Sequence, residues 1–480
     1  MVVNYKAILH TLGWVLNIES VCLLLPLICA ICYGEPYVLL FAVCIVACLA
    51  VGVGLTLFKP KNTAIYAKEG YIIVALSWIM VSLFGALPFF FSGCIPSFAD
   101  ALFETVSGFT TTGASILSDV EALPKSILFW RSFTHWIGGM GVLVFLVAIL
   151  PLSGGSNFHL IRAESTGPAV SKLVPRVKTT AKLLYTMYLG LTLLEIVLLL
   201  LGGLNLFESL TLSFGTAGTG GFSILNSGCA EYSPYIQVVI TVFMVLFGVD
   251  FSVYYLLIMR KFASALRSEE VRAYLGIFAF ATILICINIF NIFDGFGEAL
   301  RHSAFQVASI MTTTGYSTTD FDLWPEFSKT ILFILMFVGA CAGSTGGGIK
   351  VSRIMIFLKS VIKEIRIAAH PKSTHKIKMN GRLVEHETVR AVNVYIAAFA
   401  AIFGISFLII SLDNFDFTTN ITAVAATINN IGPGLNAVGP TQNFSEFSSV
   451  SKLVFCFNML IGRLEVFPLL VLLSPYSWKS

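Results

Sequence analysis

Long stretches of apolar residues alternate with short polar segments along almost the whole chain of 480 residues. Stretches of roughly 20 apolar residues are long enough to cross a bilayer as helices. We identify ten of them, at 11–32, 37–58, 72–92, 127–151, 182–202, 234–258, 273–293, 329–349, 391–412 and 451–474. The pattern predicts an all-α polytopic membrane protein with ten transmembrane spans, of which the eighth is irregular.

Four shorter, half-apolar segments lie between these spans, and each is followed by a glycine-containing turn. They are Ser97–Phe109, Phe207–Phe214, Gly297–Met311 and Phe417–Ile428. At roughly 8 to 15 residues they are too short to cross a membrane, so we expect them to re-enter from outside. Irregular backbone at membrane depth is tolerated only inside protein or beside a water-filled cavity. The four turns are therefore predicted to line one pore.

The turns share threonine and glycine, and the word TTTG occurs twice. Their backbone carbonyls are predicted to replace the hydration shell of a cation, at a point where the C-terminal ends of the half-helices also favour positive charge. The alternative is that the glycines only cap the half-helices or allow close helix packing. The candidate filter residues are Thr111, Thr112 and Gly113, then Gly218, Thr219 and Gly220, then Thr313, Thr314 and Gly315, and finally Asn430, Ile431 and Gly432.

A second glycine-rich stretch, 339–350, lies in the eighth span. Its composition makes a continuous helix improbable, and it lacks the order of a phosphate-binding loop. We predict a plug across the pore, or alternatively a hinge between two helices. The predicted gate residues are Gly343, Ser344, Thr345, Gly346, Gly347, Gly348, Lys350 and Arg463.

Charged residues inside apolar spans are costly and usually paired or functional. Arg463 lies in the last span, where it is expected either to form an electrostatic barrier held by Glu465 or to make a purely structural pair. Asp250 and Glu195 are expected to pair with neighbouring helices or, alternatively, to handle a coupled ion.

Composition supports a membrane protein, because 56% of the residues are hydrophobic and only 12% are charged. Lysine and arginine concentrate in alternate loops, at 59–68, 162–182, 260–272 and 350–390, which places both termini in the cytoplasm.

Cys94 and Cys229 lie in predicted external loops, where they either form a disulfide or remain two independent thiols. No clustered acids, histidines or nucleotide motif indicate an enzyme, a cofactor in this chain or a nucleic-acid partner. A non-transporting scaffold remains an alternative.

The predicted domains are an N-terminal two-helix hairpin and four pseudo-repeated membrane–pore-loop–membrane units around one central pore. The hairpin covers 1–70, and the units cover 71–160, 161–265, 266–385 and 386–480. The third unit contains the intramembrane gating loop.

Several motifs resemble those of the TrkH-type subunits of the Trk/Ktr/HKT superfamily of potassium transporters. They are FETVSGFTTTG at 103–113, HWIGGMG at 135–141, TAGTGGFS at 216–223, GSTGGGIK at 343–350, NIGPG at 430–434 and GRLEVF at 462–467. The resemblance covers nearly the whole length. Asp250 departs from it, as do Asn430 and Ile431, which stand in place of threonines.

The resemblance implies a K⁺ pathway in a bacterial cytoplasmic (inner) membrane, with one filter glycine from each unit. Gly113 in the first turn goes with K⁺ preference in this family. The resemblance also implies a homodimer that docks on a cytosolic RCK ring of TrkA type, which would carry the nucleotide. It matches the intramembrane loop to 343–348 and the pore-facing arginine to Arg463. An H⁺- or Na⁺-coupled symporter is the alternative function.

Overall fold

The computed structural model describes residues 3–60, 65–141, 177–371 and 375–478, and within 177–181 it describes only the backbone. The described chain is predominantly helical. Its helices are α1 Tyr5–Cys22, α2 Leu24–Cys32, α3 Val38–Thr56, α4 Ala67–Gly85, α5 Leu87–Phe91, α6 Phe98–Phe109, α7 Lys125–Gly139, α8 Val177–Leu201, α9 Leu206–Gly218, α10 Pro234–Phe247, α11 Phe251–Ile258, α12 Phe262–Leu266, α13 Glu269–Ile289, α14 Phe296–Met311, α15 Glu326–Met336, α16 Val351–Ala369, α17 His386–Ile410, α18 Phe417–Ile428, α19 Ser449–Leu464, α20 Phe467–Leu473 and α21 Pro475–Trp478.

Two strands, β1 Lys378–Met379 and β2 Arg382–Leu383, form a small antiparallel hairpin between α16 and α17. Short 3₁₀ turns cover Phe290–Ile292, Phe321–Leu323, Ser411–Asp413 and Asn436–Val438.

Six helical segments in the described ranges are long and apolar enough to cross a membrane. They are Tyr5–Cys32, Val38–Thr56, Ala67–Phe91, Lys182–Leu201, Glu269–Ile292 and His386–Asp413. A seventh would be α10 with α11, which are bent by 92° at a short break. The predicted fourth span begins with α7, but its remainder, 142–151, lies outside the described residues, as does most of the basic loop at 162–182.

The predicted eighth and tenth spans are both interrupted. Helix α15 ends at Met336, and the backbone from there to Lys350 is irregular, as the glycine content predicts. Helix α19 ends at Leu464, where Glu465 and Val466 both take positive φ, at 60° and 71°. These dihedrals are not helical, so the last span breaks at this point. A positive φ is also strained for a β-branched residue such as valine.

Three of the four short helices are capped by side chains at their first turns, whereas α14 begins after Gly295 without a side-chain cap. Ser97 and Asp416 cap α6 and α18 through their side chains. Asn205 and Glu208 form a reciprocal capping box on α9. The prediction of Phe207–Phe214 for this helix is wrong at its C-terminal end, because 215–218 continue the helix before the chain turns.

The short helices lie in the middle of the molecule, and residues 103–109 of α6 are all buried. The N-terminal helices α1 and α3 pack closely on each other, because a Cβ at Gly13 would lie only 2.6 Å from the carbonyl oxygen of Gly52. Cys94 and Cys229 are free thiols in the structure, so they are not joined by a disulfide.

Candidate functional site

Each of the four short helices ends in the same hydrogen-bonded turn. After α6, the N–H of Thr111 donates to the carbonyl of Gly108 at 3.1 Å, and that of Thr112 donates to Ser107 at 2.9 Å. The same pair of bonds, reaching back three and then five residues, follows α9, α14 and α18. Their donors are Thr219 and Gly220, Thr313 and Thr314, and Asn430 and Ile431. The backbone N–H groups are therefore used to end the helices.

Backbone dihedrals align the four turns residue by residue. Thr111, Thr219, Thr313 and Asn430 have φ of 56°, 55°, 59° and 56°. Two residues later, Gly113, Gly221, Gly315 and Gly432 have φ of 79°, 77°, 85° and 101°. Left-handed backbone of this kind favours glycine. It also suits asparagine, which explains how Asn430 keeps the conformation of the threonine that it replaces.

This alignment corrects the register of the second turn. The sequence paired Gly220 with Gly113, but the residue in the matching left-handed conformation is Gly221. Gly218 is the last residue of α9. The structural equivalents of 111–113 are therefore Thr219, Gly220 and Gly221, because α9 continues through Gly218, beyond the predicted end at Phe214.

The four turns contact one another in a closed ring. A Cβ at Gly113 would collide with the carbonyl oxygen of Gly220, and one at Gly221 with that of Thr314. One at Gly315 would meet the carbonyl of Ile431, and one at Gly432 would lie 2.8 Å from that of Thr112. Each of these glycines therefore faces the carbonyl of the residue that precedes the corresponding glycine in the next turn. The contacts run from the first turn to the second, third and fourth, and from the fourth back to the first.

The carbonyl oxygens of this ring are free of hydrogen bonds within the described residues. None of them accepts a bond at positions 111–113, 219–221, 313–315 or 430–432. Buried carbonyls are normally paired with a donor. Twelve unpaired carbonyls on four adjoining turns form a surface suited to a cation that has shed part of its water.

Several threonine hydroxyls bond to one another within the turns and so brace them. The hydroxyls of Thr110 and Thr112 lie 2.8 Å apart, and those of Thr312 and Thr314 lie 2.7 Å apart. The amide of Asn430 donates to the Thr112 hydroxyl at 2.9 Å and to the Met459 carbonyl at 2.8 Å. In the fourth turn, asparagine therefore links two neighbouring turns.

A cavity of about 180 Å³ opens above the ring and is lined by Gly113, Gly221, Gly315 and Gly432 together. Its walls also include polar loop residues such as Ser118, Asn226 and Thr441. Two of these loops are joined where Asn226 donates to Asp119 at 2.8 Å, and this hydrogen bond lowers the pKa of the exposed Asp119 carboxyl. We call this space the vestibule.

A buried ion pair supports the vestibule wall, and sequence reasoning missed it. Arg131 of α7 donates to Glu104 of α6 at 2.6 Å, with both side chains almost fully buried. Arg131 also donates to the Ser223 carbonyl at 2.8 Å, and Glu104 accepts from the N–H of Ile116 at 3.0 Å. The signal was a charged residue in the middle of each of two short apolar helices, since such charges are paired inside membranes.

His135 and Tyr316 fix neighbouring turns to each other. The Nδ1 atom of His135 lies 2.8 Å from the Gly108 carbonyl, and its Nε2 accepts from the N–H of Phe222 at 3.2 Å. Because Nε2 is an acceptor, Nδ1 carries the proton and donates. The hydroxyl of Tyr316 donates to the Leu212 carbonyl at 3.2 Å, which ties the third turn to α9.

The glycine-rich stretch 343–348 packs against the ring on the side away from the vestibule. The N–H of Gly347 donates to the Thr313 hydroxyl at 2.7 Å. A Cβ at Gly346 would lie 3.2 Å from the Thr312 carbonyl, and one at Gly347 would lie 3.0 Å from that of Asn429. This intramembrane loop therefore contacts the ends of the third and fourth turns that face away from the vestibule.

Two basic side chains hold the intramembrane loop. Lys350 is buried and donates back to the carbonyls of Gly346 and Gly347. Arg463 donates to the Thr345 carbonyl at 2.7 Å and to the carbonyls of Gly138 and Gly139 at 2.5 and 2.9 Å. Arg463 thus connects the loop to the end of α7.

Two further acidic residues of the apolar spans, Glu465 and Asp250, also lie near this loop. Glu465 forms an ion pair with Arg353 of α16, whose guanidinium lies 4.0 Å from the ring centre of Tyr395. Asp250 caps α11 at the bend after α10, where Phe251 N–H donates to the Gly343 carbonyl at 3.1 Å. Glu195 lies apart from these groups and is completely buried, beside Thr216 of α9.

Comparisons with known proteins cover essentially the whole chain. A family model described as TrkH, a cation transport protein, matches residues 39–292 and 295–480. The chain is 35% identical over 491 residues to the Trk system potassium uptake protein TrkH of Salmonella typhimurium, covering 99% of this chain and all of that protein. It is 32% identical over 485 residues to TrkG of Escherichia coli K12, with 99% of each covered.

The fold also matches a solved structure. The crystal structure of the potassium transporter TrkH from Vibrio parahaemolyticus superposes with a TM-score of 0.88 at 32% identity, covering 99% of this chain and all of that one. Similarity at this identity and coverage, in sequence and in fold, extends over the ring and the intramembrane loop. The chain belongs to the TrkH family of cation transport proteins.

Proposed function

We propose that this chain is a potassium uptake subunit of a Trk system, and that the ring of four turns is its selectivity filter. Partly dehydrated K⁺ enters from the vestibule and is coordinated by backbone carbonyls. The filter residues are Thr111, Thr112, Gly113, Thr219, Gly220, Gly221, Thr313, Thr314, Gly315, Asn430, Ile431 and Gly432. The named function of the relatives supports the choice of ion.

The observation that carries this proposal is the ring of twelve carbonyls below the vestibule, none of which accepts a hydrogen bond from the described part of the chain. A ring of carbonyls substitutes for the water ligands of a monovalent cation. The short helices end at the ring, so their negative C-terminal ends add to the favourable potential.

The intramembrane loop is proposed as the gate, in its closed position. Residues Gly343 to Gly348 lie under the filter, and hydrogen bonds from Lys350 and Arg463 to carbonyls of this loop keep it there. Opening requires the loop to leave Thr313 and Arg463 to release the Thr345 carbonyl.

The proposed topology is the predicted one, with ten spans, an N-terminal hairpin over 1–70 and four units at 71–160, 161–265, 266–385 and 386–480. The chain lies in a bacterial inner membrane, with both termini in the cytoplasm. The basic segment from Lys359 to Arg390 supplies a docking face for a nucleotide-binding regulatory ring, and two copies of the chain form a homodimer.

Uptake of ⁸⁶Rb⁺ into liposomes that contain only the purified protein tests the function. We expect excess K⁺ to inhibit this uptake. The same concentration of Na⁺ or Li⁺ should leave it largely intact. Uptake that Na⁺ inhibits as well as K⁺ would contradict a potassium-selective filter.

A coupled symporter is the second candidate, favoured by one observation. Glu195 is a fully buried carboxyl beside α9, and such a group inside a membrane is a candidate for reversible protonation. Uptake that requires an imposed proton or Na⁺ gradient, and that Glu195→Gln uncouples from this gradient, would establish it. A reversal potential that follows K⁺ alone would exclude it.

A further inference from the structure

A second cavity, of about 690 Å³, lies far from the filter among α16, the β-hairpin and the start of α17. Its walls are held in place by the surrounding chain. Lys359 of α16 donates to Glu269 at 2.6 Å and to the Lys378 carbonyl of the hairpin at 2.8 Å. The N–H of Val384 donates to the Ile377 carbonyl at 2.9 Å, which closes the base of the hairpin.

The cavity is basic at its rim. Its lining includes the cations Lys363, Lys376 and Arg390 against two carboxylates, Glu364 and Glu385, and it also includes two histidines. Glu364 lies 3.7 Å from Lys363, but its side chain is 68% exposed, so it points largely to solvent. The bases come from three different elements, and they converge on one space that is larger than a single ion requires.

The remaining lining is apolar and leads towards the bilayer. It includes Ile377, Leu383, Val389 and Val394. Val394 is 49% exposed, and further along α17 the side chains of Ile405 and Leu408 are exposed as well. The cavity therefore combines a cationic rim with an apolar side that continues onto a surface of transmembrane character.

We propose that this cavity binds one anionic phospholipid of the cytoplasmic leaflet. The phosphate group is held by Lys363, Lys376 and Arg390, and an acyl chain follows the apolar side of α17. Basic pockets beside transmembrane helices on the cytoplasmic side suit such headgroups. The apolar continuation favours a lipid over a soluble phosphate, which has no chain to bury there.

The bound lipid would join α16, which directly follows the proposed gate, to α17. Helix α16 begins at Val351, directly after Lys350 of the intramembrane loop. On the inner side of the same helix, Arg353 already contacts Tyr395 of α17. A headgroup held between Lys363 and Arg390 adds a second link between α16 and α17, further from the filter.

Native mass spectrometry of the full purified chain tests the binding without any ion flux, so the result does not depend on the proposed transport function. The probes are dioleoyl phosphatidylglycerol and dioleoyl phosphatidylcholine, titrated separately in detergent. The variant is Lys363→Gln/Lys376→Gln/Arg390→Gln. The matched control, Lys261→Gln/Arg267→Gln/Arg366→Gln, removes the same charge from exposed bases outside the cavity lining.

We expect one phosphatidylglycerol per chain to bind at least about tenfold more tightly than phosphatidylcholine, a preference that the cavity variant loses and the control keeps. Equal binding of the two lipids, or equal loss in both variants, would overturn the proposal. Complete displacement of phosphatidylglycerol by millimolar glycerol phosphate would assign the site to a soluble anion instead. Dissociation of dimers in the cavity variant with unchanged lipid binding would assign this surface to a second copy of the chain.

Discussion

Single residues decide the geometry of the ring. In the second turn, glycines occupy 218, 220 and 221, so the sequence offers more than one alignment with TTTG, and only the backbone dihedrals select Gly221. Gly220 has a different role, because a Cβ there would collide with the ring of His135. Asn430 stands in place of a threonine in the sequence, and its left-handed backbone and its bond to Thr112 give it the same place in the ring.

Replacing Gly221 by serine should increase Na⁺ uptake relative to Rb⁺, as should Gly113→Ser, since each Cβ displaces a carbonyl of the next turn. We expect a change in preference of about tenfold, which corresponds to roughly 1.4 kcal/mol. Competition of ⁸⁶Rb⁺ uptake by Na⁺ measures it. Gly404→Ser is the control, because a Cβ at Gly404 meets nothing within 4 Å. An unaltered preference in Gly221→Ser would contradict the register.

Arg131→Met should destabilise the protein by about 3–5 kcal/mol, because it leaves the buried Glu104 carboxylate without its cation. Thermal unfolding in detergent measures the loss, and Glu104→Gln/Arg131→Met should recover much of it. The control is Lys329→Met, which breaks an ion pair with an 87% exposed Glu326 and should cost at most about 1 kcal/mol. Equal losses of stability in Arg131→Met and Lys329→Met would show that the buried pair contributes no more to stability than the exposed one.

At the scale of elements, apolar periodicity locates helices well but does not reveal their interruptions. The glycines of 339–350 predict an irregular segment, and the structure has one. The break after Leu464 was not predicted, since neither Glu465 nor Val466 is a residue that usually ends a helix. Glu465 was expected to hold Arg463, its neighbour in sequence, and it also forms an ion pair with Arg353, 112 residues away. Such partners depend on helix packing, which one sequence does not display.

Weakening the hold on the intramembrane loop should raise ion flux without changing ion preference. Arg463→Gln removes charged hydrogen bonds to three carbonyls, each of roughly 1.5–3 kcal/mol. We expect ⁸⁶Rb⁺ uptake to rise by at least about tenfold. Removal of 343–348 should act in the same direction, and the exposed Arg267→Gln serves as the control. Unchanged uptake in both gate variants would argue against this gate.

At the scale of the whole molecule, hydropathy and charge already predict the membrane class and four re-entrant segments. They also predict that the four turns line one pore, but not which residues of the turns contact one another, because those contacts join residues up to about three hundred positions apart. They also do not show the buried pair of Glu104 and Arg131, which becomes visible only when α6 and α7 are packed together.

The proposed topology places the vestibule outside the cell and α12 in the cytoplasm. A membrane-impermeant maleimide should label Ser118→Cys in intact cells, whereas Arg267→Cys should react only after permeabilisation. The parent protein, with its ten native cysteines, provides the background. Labelling of Arg267→Cys in intact cells would reverse the orientation.

The central claim is that the ring of carbonyls binds a partly dehydrated cation. Anomalous diffraction from crystals grown in Rb⁺ tests it most directly. The account predicts Rb⁺ density inside the ring bounded by Gly113, Gly221, Gly315 and Gly432, and loss of that density when Rb⁺ is replaced by K⁺. Rb⁺ density confined to the vestibule or the protein surface, with none inside the ring, would contradict it.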